Sequence, residues 1–453
     1  MPIACLGACL ALAALSLLVS AIPHFDPFAW TIWGREITHA DVGLSTIDGP
    51  SWKPLPVLFT TPLSLFGDAA PAGWLVIARA AGLLAIVLAY RLGRRFGSPP
   101  TGVLAAVAVL LVPGWFQELA FGGELGPLVA LTLAAIDRHL ARRPGQALAL
   151  GFAAALLRTE TWPFVAMYGA WAWHTRSVDR RAVGGLALAL PVLWFVPDWM
   201  TSGDPFRGAV VARASTEART AAFIANPVLE VLKRAYGLVP LVLLLLAVAA
   251  VTLAARRRQW TLVVLGAGVL AWVALVATMT VAGGYTGLPR FMVPAAALTC
   301  VLGAVGAAEI TGPLVRRGLP MFGVAAALVM ALLASGVEPV KGLLGQARTA
   351  RTWQRSAAGL EVAVQRAGGA DWVACRPLVI RHPGLTELAW ILGLPIASIR
   401  TQVTGDALVF SPTGDPPPMS VDLPRRLVAR ADEWEVYEVG TPRPQRDCPR
   451  RFR

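Results

Sequence analysis

The sequence predicts an α-helical polytopic membrane protein with about eleven transmembrane helices, followed by a small extracytoplasmic α/β domain. Hydrophobic residues make up 56% of the 453-residue chain and charged residues only 15%, whereas soluble domains carry about 25% charged residues. Long apolar runs recur up to residue 337, and basic residues collect in every second loop between them. This combination excludes a disordered chain, a coiled coil and an ordinary soluble enzyme.

The apolar runs define the predicted spans. A span needs about 20 mostly apolar residues. The first run lacks a basic n-region and a small-residue cleavage site, so we interpret it as a retained helix and not as a signal peptide. The predicted spans are 2–22, 72–90, 101–116, 123–137, 145–158, 161–174, 182–199, 229–255, 259–281, 291–311 and 319–337.

The basic residues of the short loops predict the orientation. Cytoplasmic loops are rich in Lys and Arg, which here predicts a plasma (inner) membrane protein with its N-terminus inside and its C-terminus outside. The net charge of +13 is then a topology signal and gives no support to a nucleic-acid partner. Five alternate loops carry these residues: Arg91, Arg94, Arg95; Arg138, Arg142, Arg143; Arg176, Arg180, Arg181; Arg256, Arg257, Arg258; and Arg316, Arg317.

The composition becomes polar after residue 337. The chain therefore divides into a transmembrane domain, 1–337, and an extracytoplasmic α/β domain, 338–453. In the second domain, 434–439 alternates apolar and polar residues as a half-buried strand does, and 385–392 predicts a short helix.

The first outer region, 23–67, is predicted to carry interfacial helices, and its loop 23–53 interleaves aromatic and acidic residues. Its aromatic residues at helical spacing favour an amphipathic helix in the membrane interface or an aromatic belt, and the run 54–67 predicts a second interfacial helix. Asp26 lies one turn beyond the first span, where a partly desolvated carboxylate is suited to act as a general base for an incoming hydroxyl. The alternative is an N-cap for a helix that begins at Pro27.

Other outer loops add carboxylates to this candidate site. Glu124 begins an apolar run and is either a second catalytic carboxylate or a first-turn residue favoured by the helix dipole. Glu160 lies two residues after Arg158, so a local ion pair is an alternative to a functional role. The candidates for acceptor binding in the loops are Glu36, Asp48, Glu160 and Tyr285.

Three cations are candidates for binding an anionic group. Arg79 lies inside a predicted span, where an ionisable residue is expensive and a functional candidate by default; its alternative is a structural pairing with an acid or backbone carbonyls. Lys53 and Arg290 lie at the membrane surface, where they are suited to a phosphate or else extend to the interface as long cationic side chains do.

The sequence lacks the common nucleotide and metal motifs, including a P-loop, HExxH and CxxC. Metal dependence stays open, because carboxylates at this spacing hold either a divalent cation or none. Cys375 and Cys448 fall in the predicted outer domain, where an oxidising environment permits a disulfide; two buried thiols are the alternative.

Several short motifs together resemble a known group, the GT-C membrane glycosyltransferases. An outer loop opens with Asp26, an Arg-bearing second span ends in Tyr90-Arg-Leu-Gly-Arg-Arg-Phe-Gly, and a Leu157-Arg-Thr-Glu-Thr-Trp-Pro turn and a Pro289-Arg-Phe segment follow. These features resemble the bacterial protein-mannosyltransferase-like and aminoarabinose-transferase-like enzymes. The stretch 49–56 is similar to an actinobacterial branch. The resemblance covers roughly residues 1–340.

The resemblance implies an inverting glycosyltransferase that transfers a sugar from a polyprenyl phosphate to a cell-envelope glycan or lipid. Asp26 matches the family's catalytic acid, and Glu124 matches its second acidic position. Arg79, Lys53 and Arg290 match basic positions that face the donor phosphate. Protein-mannosyltransferases follow the Asp with Glu, whereas Pro27 stands here, so a protein acceptor is less favoured than a glycan or lipid.

Two other classes of function fit parts of the same pattern. A lipid-linked sugar transporter or flippase also needs charged groups within its spans, although a carrier exposes its site to both faces of the membrane. A non-catalytic scaffold would bind cell-wall components through residues 338–453 and would not depend on Asp26.

Overall fold

The computed structural model describes residues 3–19, 22–39, 43–213, 221–316, 337–381, 384–415, 417 and 423–441. Up to residue 316 the described chain is helical, with connecting loops and short 3-10 turns. The α-helices of this part are α1 (Ile3–Leu15), α2 (Phe25–Thr38), α3 (Pro54–Leu63), α4 (Ala70–Phe96), α5 (Pro99–Leu110), α6 (Trp115–Ala120), α7 (Leu125–Leu140), α8 (Pro144–Ala155), α9 (Trp162–His174), α10 (Arg180–Ser202), α11 (Arg207–Arg213), α12 (Pro227–Tyr236), α13 (Leu241–Arg256), α14 (Trp260–Gly283) and α15 (Val293–Arg316).

The C-terminal region, residues 337–441, contains helices and a sheet. The sheet has the strand order β2-β1-β3-β5-β4. Strand β1 runs parallel to β2 and β3, while β5 runs antiparallel to β3 and β4. The elements are α16 (Val337–Arg366), α17 (Ala370–Ala374), β1 (Leu378–Ile380), α18 (Leu385–Leu392), β2 (Ile399–Arg400), β3 (Ala407–Pro412), β4 (Arg425–Ala431) and β5 (Trp434–Val439). The predicted strand and helix are therefore confirmed, while the domain boundary at residue 337 stays a prediction.

The helices confirm a polytopic membrane fold, although the number of spans stays a prediction. By length and hydropathy, four helical stretches of the described chain are able to cross a membrane, and the apolar stretches Ile3–Leu18 and Pro99–Leu110 are shorter. Nearly all of the predicted run 319–337 lies outside the described residues. The four stretches are Pro54–Phe96, Arg180–Ser202, Trp260–Gly283 and Pro289–Gly312.

The predicted run 229–255 is not one continuous span. It comprises α12 and α13, whose axes differ by 95°. The break lies between Gly237 and Pro240, and the proline cannot donate the backbone hydrogen bond that a continuous helix requires. Because α12 has a strongly polar face and α13 does not, only α13 has the composition of a span.

Helix α15 is the central helix of the bundle, and its apolar part is almost completely buried. Its sequence is rich in Ala and Gly, and small residues let helix backbones approach closely in membranes. A Cβ atom at Gly306 would lie 1.9 Å from the carbonyl oxygen of Leu246 on α13. The close contact between α13 and α15 therefore requires glycine at this position.

The bundle has two chemically different ends. Three of the predicted cytoplasmic loops meet at one of them, where Asp137 pairs with Arg91 and Arg138 and Arg257 pairs with Glu309. The opposite end, which carries the loops predicted to lie outside, is called the outer end below. It holds nearly all of the candidate site residues and the C-terminal region.

Helix α2 is buried, which corrects the prediction of an interfacial helix. Trp30 and Trp33 are 1% and 0% exposed, and they belong to one apolar cluster with Leu388 and Leu392 of α18. The aromatic pattern alone fits packing against lipid as well as packing against protein. The partner is the C-terminal region, which lies about 350 residues further along the chain.

Candidate active site

Charged and polar side chains from five separate segments meet at the outer end of the bundle. Each is placed by the start of a helix or by a tight turn: Asp26 in the first turn of α2, Lys53 before α3, Glu124 before α7, Arg158 and Glu160 between α8 and α9, and Tyr285 after α14. These residues are called the outer cluster. Its members are separated by up to 259 positions in the sequence, so only the fold brings them together.

Lys53 connects two carboxylates of the outer cluster. Its Nζ donates a hydrogen bond to Oε2 of Glu124 and lies 3.7 Å from Oδ2 of Asp26. The ammonium also lies 5.2 Å from the ring centre of Trp30, where a cation is attracted by the aromatic face. Lys53 is 8% exposed, so its charge depends on these partners.

Arg158 makes the second set of charge contacts. Its guanidinium pairs with Glu124 and with both carboxylate oxygens of Glu160, and its Nη2 donates to the hydroxyl of Tyr285 over 2.6 Å. Tyr285 in turn donates to Glu160 over 2.7 Å. The guanidinium also lies 4.2 Å from the ring centre of Phe291. The predicted Arg158–Glu160 ion pair is present, but it is one part of a larger network.

The network compensates the charge of Glu124, which is buried and pairs with both Lys53 and Arg158. Burial raises the pKa of Glu160, but the charge and hydrogen bonds of Arg158, together with the hydrogen bond from Tyr285, bring it below its usual range. Two cations therefore balance two buried carboxylates, and this arrangement fixes the loops relative to one another.

Asp26 is the most accessible carboxylate among the ion-paired members of the cluster. Its side chain is 31% exposed, whereas that of Glu124 is 6% exposed. Helix α2 begins at Phe25 with His24 as its N-cap residue, so Asp26 lies within the first turn and does not cap the helix. The capping alternative is therefore wrong. A carboxylate that reaches solvent next to a fixed ammonium is suited to contact a substrate hydroxyl.

Glu118, on α6, is a further member of this site that the sequence analysis did not select. Burial raises its pKa to about 7, and the charges of Arg290, Glu124 and Asp26 act on it. The Gln117-Glu118 pair, followed by Gly122-Gly123, was the available signal. Its carboxylate contacts the Gly123 position so closely that a Cβ there would clash with it.

Arg79 lies outside the outer cluster. Its Nε and Nη2 donate to the carbonyl oxygens of Leu119 and Ala120 over 3.2 and 2.6 Å, and its Nη1 donates to the hydroxyl of Ser16 over 2.9 Å. The guanidinium thereby holds the end of α6. These contacts favour the structural alternative for Arg79 over contact with a donor phosphate.

The other predicted residues divide between the cluster and its surroundings. Arg290 is exposed, lies 5.4 Å from the ring centre of Phe291 and acts electrostatically on Glu124, so it lies at the rim of the site. Asp48 is exposed and has a backbone φ of 63°, and no contact in the described residues links it to the cluster.

Glu36 is buried at the far end of α2 from Asp26. Its Oε2 accepts a hydrogen bond from the backbone N–H of Ser45 over 2.9 Å, and burial raises its pKa to about 8. The carboxylate therefore closes the first outer loop onto α2. This position gives no support to a role in acceptor binding.

The described residues contain no group of three or more His, Cys, Asp or Glu side chains that would hold a metal ion. Cys375 is one end of a disulfide, and its predicted partner, Cys448, lies outside the described residues. Cys5, Cys9 and Cys300 are free thiols.

Solved structures supply the comparison with known proteins. ArnT from Cupriavidus metallidurans in its apo state is similar with a TM-score of 0.57 and 16% identity over 95% of this chain and 97% of that one. The fold likeness extends over nearly the full length of both proteins. The chain has the GT-C fold.

Two further solved structures are similar to the chain. ArnT from the same organism bound to undecaprenyl phosphate has a TM-score of 0.55 and 14% identity over 96% of this chain and 97% of that one. An oligosaccharyltransferase of Archaeoglobus fulgidus has a TM-score of 0.46 and 14% identity over 85% of this chain and 63% of that one. No protein-family model and no curated protein sequence matches the chain. At these identities the GT-C likeness concerns the fold, and the chemistry has to be argued from the outer cluster.

Proposed function

We propose that the protein transfers a sugar from a polyprenyl phosphate to a hydroxyl group of a cell-envelope glycan or lipid, at the outer face of the plasma membrane. The observation that carries the proposal is the pairing of the solvent-reaching carboxylate of Asp26 with the ammonium of Lys53, 3.7 Å apart, in a cluster at one end of a GT-C bundle. The pair supplies a base for the acceptor and a cation for the departing phosphate.

In the proposed reaction, Asp26 acts on the acceptor. Its carboxylate removes the proton of the acceptor hydroxyl as that oxygen forms a bond to the anomeric carbon of the donor sugar. The bond between this carbon and the phosphate oxygen breaks, and its electron pair leaves with the polyprenyl phosphate. A single displacement of this kind inverts the anomeric centre.

Lys53 acts on the donor. An ammonium has three donors, and in the described part of the chain Lys53 gives one hydrogen bond, to Glu124. Its further donors are suited to a phosphate oxygen, where a preorganised cation stabilises the charge that develops on the leaving group. Arg290 at the rim of the cluster is placed to contact the same headgroup. ArnT, which shares the fold, has been solved with undecaprenyl phosphate bound, and this supports a lipid phosphate as the leaving group.

Glu124 and Arg158 have a supporting role in this proposal. Glu124 holds the ammonium of Lys53 on one carboxylate oxygen and the guanidinium of Arg158 on the other. Preorganisation of this kind removes the cost of orienting charges during the reaction. Glu124 is thus a positioning residue for Lys53, and it is too enclosed to reach the acceptor directly.

The test is a transfer assay in membranes that contain the full-length protein. We expect wild type to transfer label from at least one radiolabelled polyprenyl-phosphate sugar, for example the mannosyl or arabinosyl form, to an endogenous acceptor. Asp26→Asn should lower the rate by at least 100-fold, because general-base assistance contributes about 10² to 10⁴. Asp48→Asn, in the same loop but outside the cluster, is the matched control and should keep the wild-type rate.

Two results would overturn the proposal. Transfer by Asp26→Asn at the wild-type rate would remove Asp26 as the base. Movement of the labelled lipid across the membrane by wild type, without any new glycosidic bond, would replace transfer with transport.

A further inference from the structure

A cavity of about 90 Å³ lies in the C-terminal region, between α16, α18 and the adjacent ends of strands β3 and β5. Its walls are mostly apolar and include Trp353 and Leu360 of α16 and Trp434 of β5. Among the described residues that line it, Glu387 of α18 is the only charged one. The cavity is separate from the outer cluster, and the proposed reaction makes no use of Glu387.

Glu387 is expected to destabilise the fold in this position. It is 2% exposed, and its Oε1 has no hydrogen-bond partner among the described residues. The hydroxyl of Thr386 donates to its other oxygen over 3.3 Å. Buried polar atoms are nearly always paired, and an unpaired one destabilises the fold. The contacts among the described residues therefore do not explain why a carboxyl group stands here.

The two tryptophans contribute carbon surface to the cavity. The indole N–H of Trp434 donates to the carbonyl oxygen of Ser356 over 2.8 Å, and that of Trp353 donates to the carbonyl oxygen of Pro23 over 3.2 Å. Because both indole N–H groups donate to backbone carbonyls, the two rings present only apolar surface to an occupant. An occupant needs an apolar face for these walls and one polar group for Glu387.

Trp353 also connects the cavity to the proposed active site. Its ring lies 4.4 Å from the ring of His24, and His24 stands two residues before Asp26. The backbone N–H of His24 is fixed by the carbonyl oxygen of Phe121 over 3.2 Å. One side chain therefore contacts the segment that carries the proposed base and also forms a wall of the cavity.

We propose that this cavity binds the edge of one neutral pyranose ring, and that this ring belongs to the acceptor glycan. A pyranose combines an apolar C–H face, which packs on aromatic carbon, with a rim of hydroxyls, one of which would pair with the carboxyl group of Glu387. The assignment of the ring to the acceptor rests on the proposed transfer function. The binding of a sugar in this cavity does not.

The size and charge of the cavity agree with a neutral sugar. A cavity of about 150 Å³ accepts a benzene molecule, so 90 Å³ accommodates part of one ring and not an oligosaccharide. Burial raises the pKa of Glu387 to about 8, so the carboxyl group is mostly protonated at neutral pH. A protonated carboxyl both donates and accepts hydrogen bonds, as does a sugar hydroxyl.

Saturation-transfer NMR on the full-length protein in nanodiscs tests the proposal. The probes are the methyl pyranosides of glucose, galactose and mannose, with no donor lipid present. We expect at least one probe to receive saturation from wild type. Glu387→Leu should weaken its binding at least tenfold, because the hydroxyl loses its partner, and Glu387→Gln, which keeps an amide oxygen and N–H, should bind between the two.

Two controls separate binding from folding. Glu361→Gln removes an exposed acid from α16 and should bind as wild type does. Glu387→Leu should unfold at the same or a higher temperature than wild type, since it removes an unpaired buried carboxyl. If Glu387→Leu does not fold, Glu387→Gln carries the comparison.

The proposal is overturned if none of the three probes receives saturation from wild type, or if the Glu387 variants bind as wild type does. Because no donor is present, such a failure leaves transfer by Asp26 untouched. A failure of transfer leaves the binding result standing, with only the acceptor assignment withdrawn.

Discussion

Two buried arginines show how the surroundings of a residue decide its role. Arg79 donates from three nitrogens to two backbone carbonyls and a serine hydroxyl, so it holds the end of α6. Arg158 directs its nitrogens at two carboxylates and a tyrosine, so it balances the charge of the candidate site. The sequence marked Arg79 as the functional cation and Arg158 as half of a local pair. The structure favours the opposite assignment.

Substitution of Arg158 should be strongly destabilising. Arg158→Met leaves Glu124 and Glu160 buried with one fewer cation, and breaking a buried pair costs roughly 3–5 kcal/mol. Thermal unfolding of the purified protein in detergent measures the effect. Arg257→Met breaks a pair in which the arginine side chain is 52% exposed, and it should cost about 1 kcal/mol or less. Equal losses in the two variants would contradict the charge-balancing role of Arg158.

At the residue scale, the sequence predicted part of the candidate site. Asp26, Lys53 and Glu124 do come together, because each lies next to a helix end and the predicted topology puts these ends on one side. Glu118 was not selected although the Gln117-Glu118 pair before Gly122-Gly123 was a signal, because a local pattern does not show whether an acid faces the site or the solvent.

Helix α2 shows the same difficulty at the scale of an element. Its aromatic residues at helical spacing fit a lipid interface and a protein core equally well, and nearly all of the helix is buried. The structure packs it between α3 and the C-terminal region, and its contact with α3 is close. A Cβ atom at Gly34 would lie 2.5 Å from the backbone carbon of Thr60, whose hydroxyl donates to the carbonyl oxygen of Trp30 over 2.6 Å.

Gly34→Ala should therefore separate α2 from α3. Forcing a methyl group into a packed contact costs roughly 1–3 kcal/mol, and the shift should also displace Lys53, which immediately precedes α3, from Asp26. We expect a lower unfolding temperature together with a lower transfer rate. Gly185→Ala on α10, where nothing lies within 4 Å of the new methyl group, should be neutral or slightly stabilising. A Gly34→Ala protein with wild-type stability would show that the two helices do not pack closely.

Element boundaries followed local chemistry and were partly predictable. Strand β5 and helix α18 were expected from their periodicity, since a period of two or 3.6 is set by local geometry. The break between α12 and α13 was not expected, because the apolar composition of 229–255 continues through it. A proline in such a run is the local sign of a break, and here Pro240 marks the break although the hydropathy indicates one span.

At the scale of the whole molecule, the polytopic fold was the most predictable feature. The bilayer imposes long apolar helices, and this constraint is visible in composition alone. The substrates are much less visible, since they depend on a few side chains that come from separate loops. The polytopic fold therefore followed from the pattern of spans and loops and the GT-C type from a resemblance of short motifs, whereas the donor and acceptor are proposed from the outer cluster.

The orientation of the chain is testable independently of activity. The basic loops predict that the C-terminal region and the outer cluster face away from the cytoplasm. Alkaline phosphatase, which is active only outside the cytoplasm, should be active when fused to the C-terminus and inactive when fused after Arg143. Green fluorescent protein fused at the same two points should give the reverse pattern. Activity of the phosphatase at Arg143 would invert the topology and place the candidate site inside.

The central claim is that Asp26 and Lys53 form one site and divide the acceptor and donor chemistry between them. The most direct test measures binding of undecaprenyl phosphate and the single-turnover transfer rate on the same purified variants. Asp26→Asn should bind the lipid as wild type does and lose transfer by at least 100-fold, while Lys53→Gln should weaken lipid binding roughly tenfold or more. Unchanged lipid binding by Lys53→Gln together with wild-type transfer by Asp26→Asn would contradict the account.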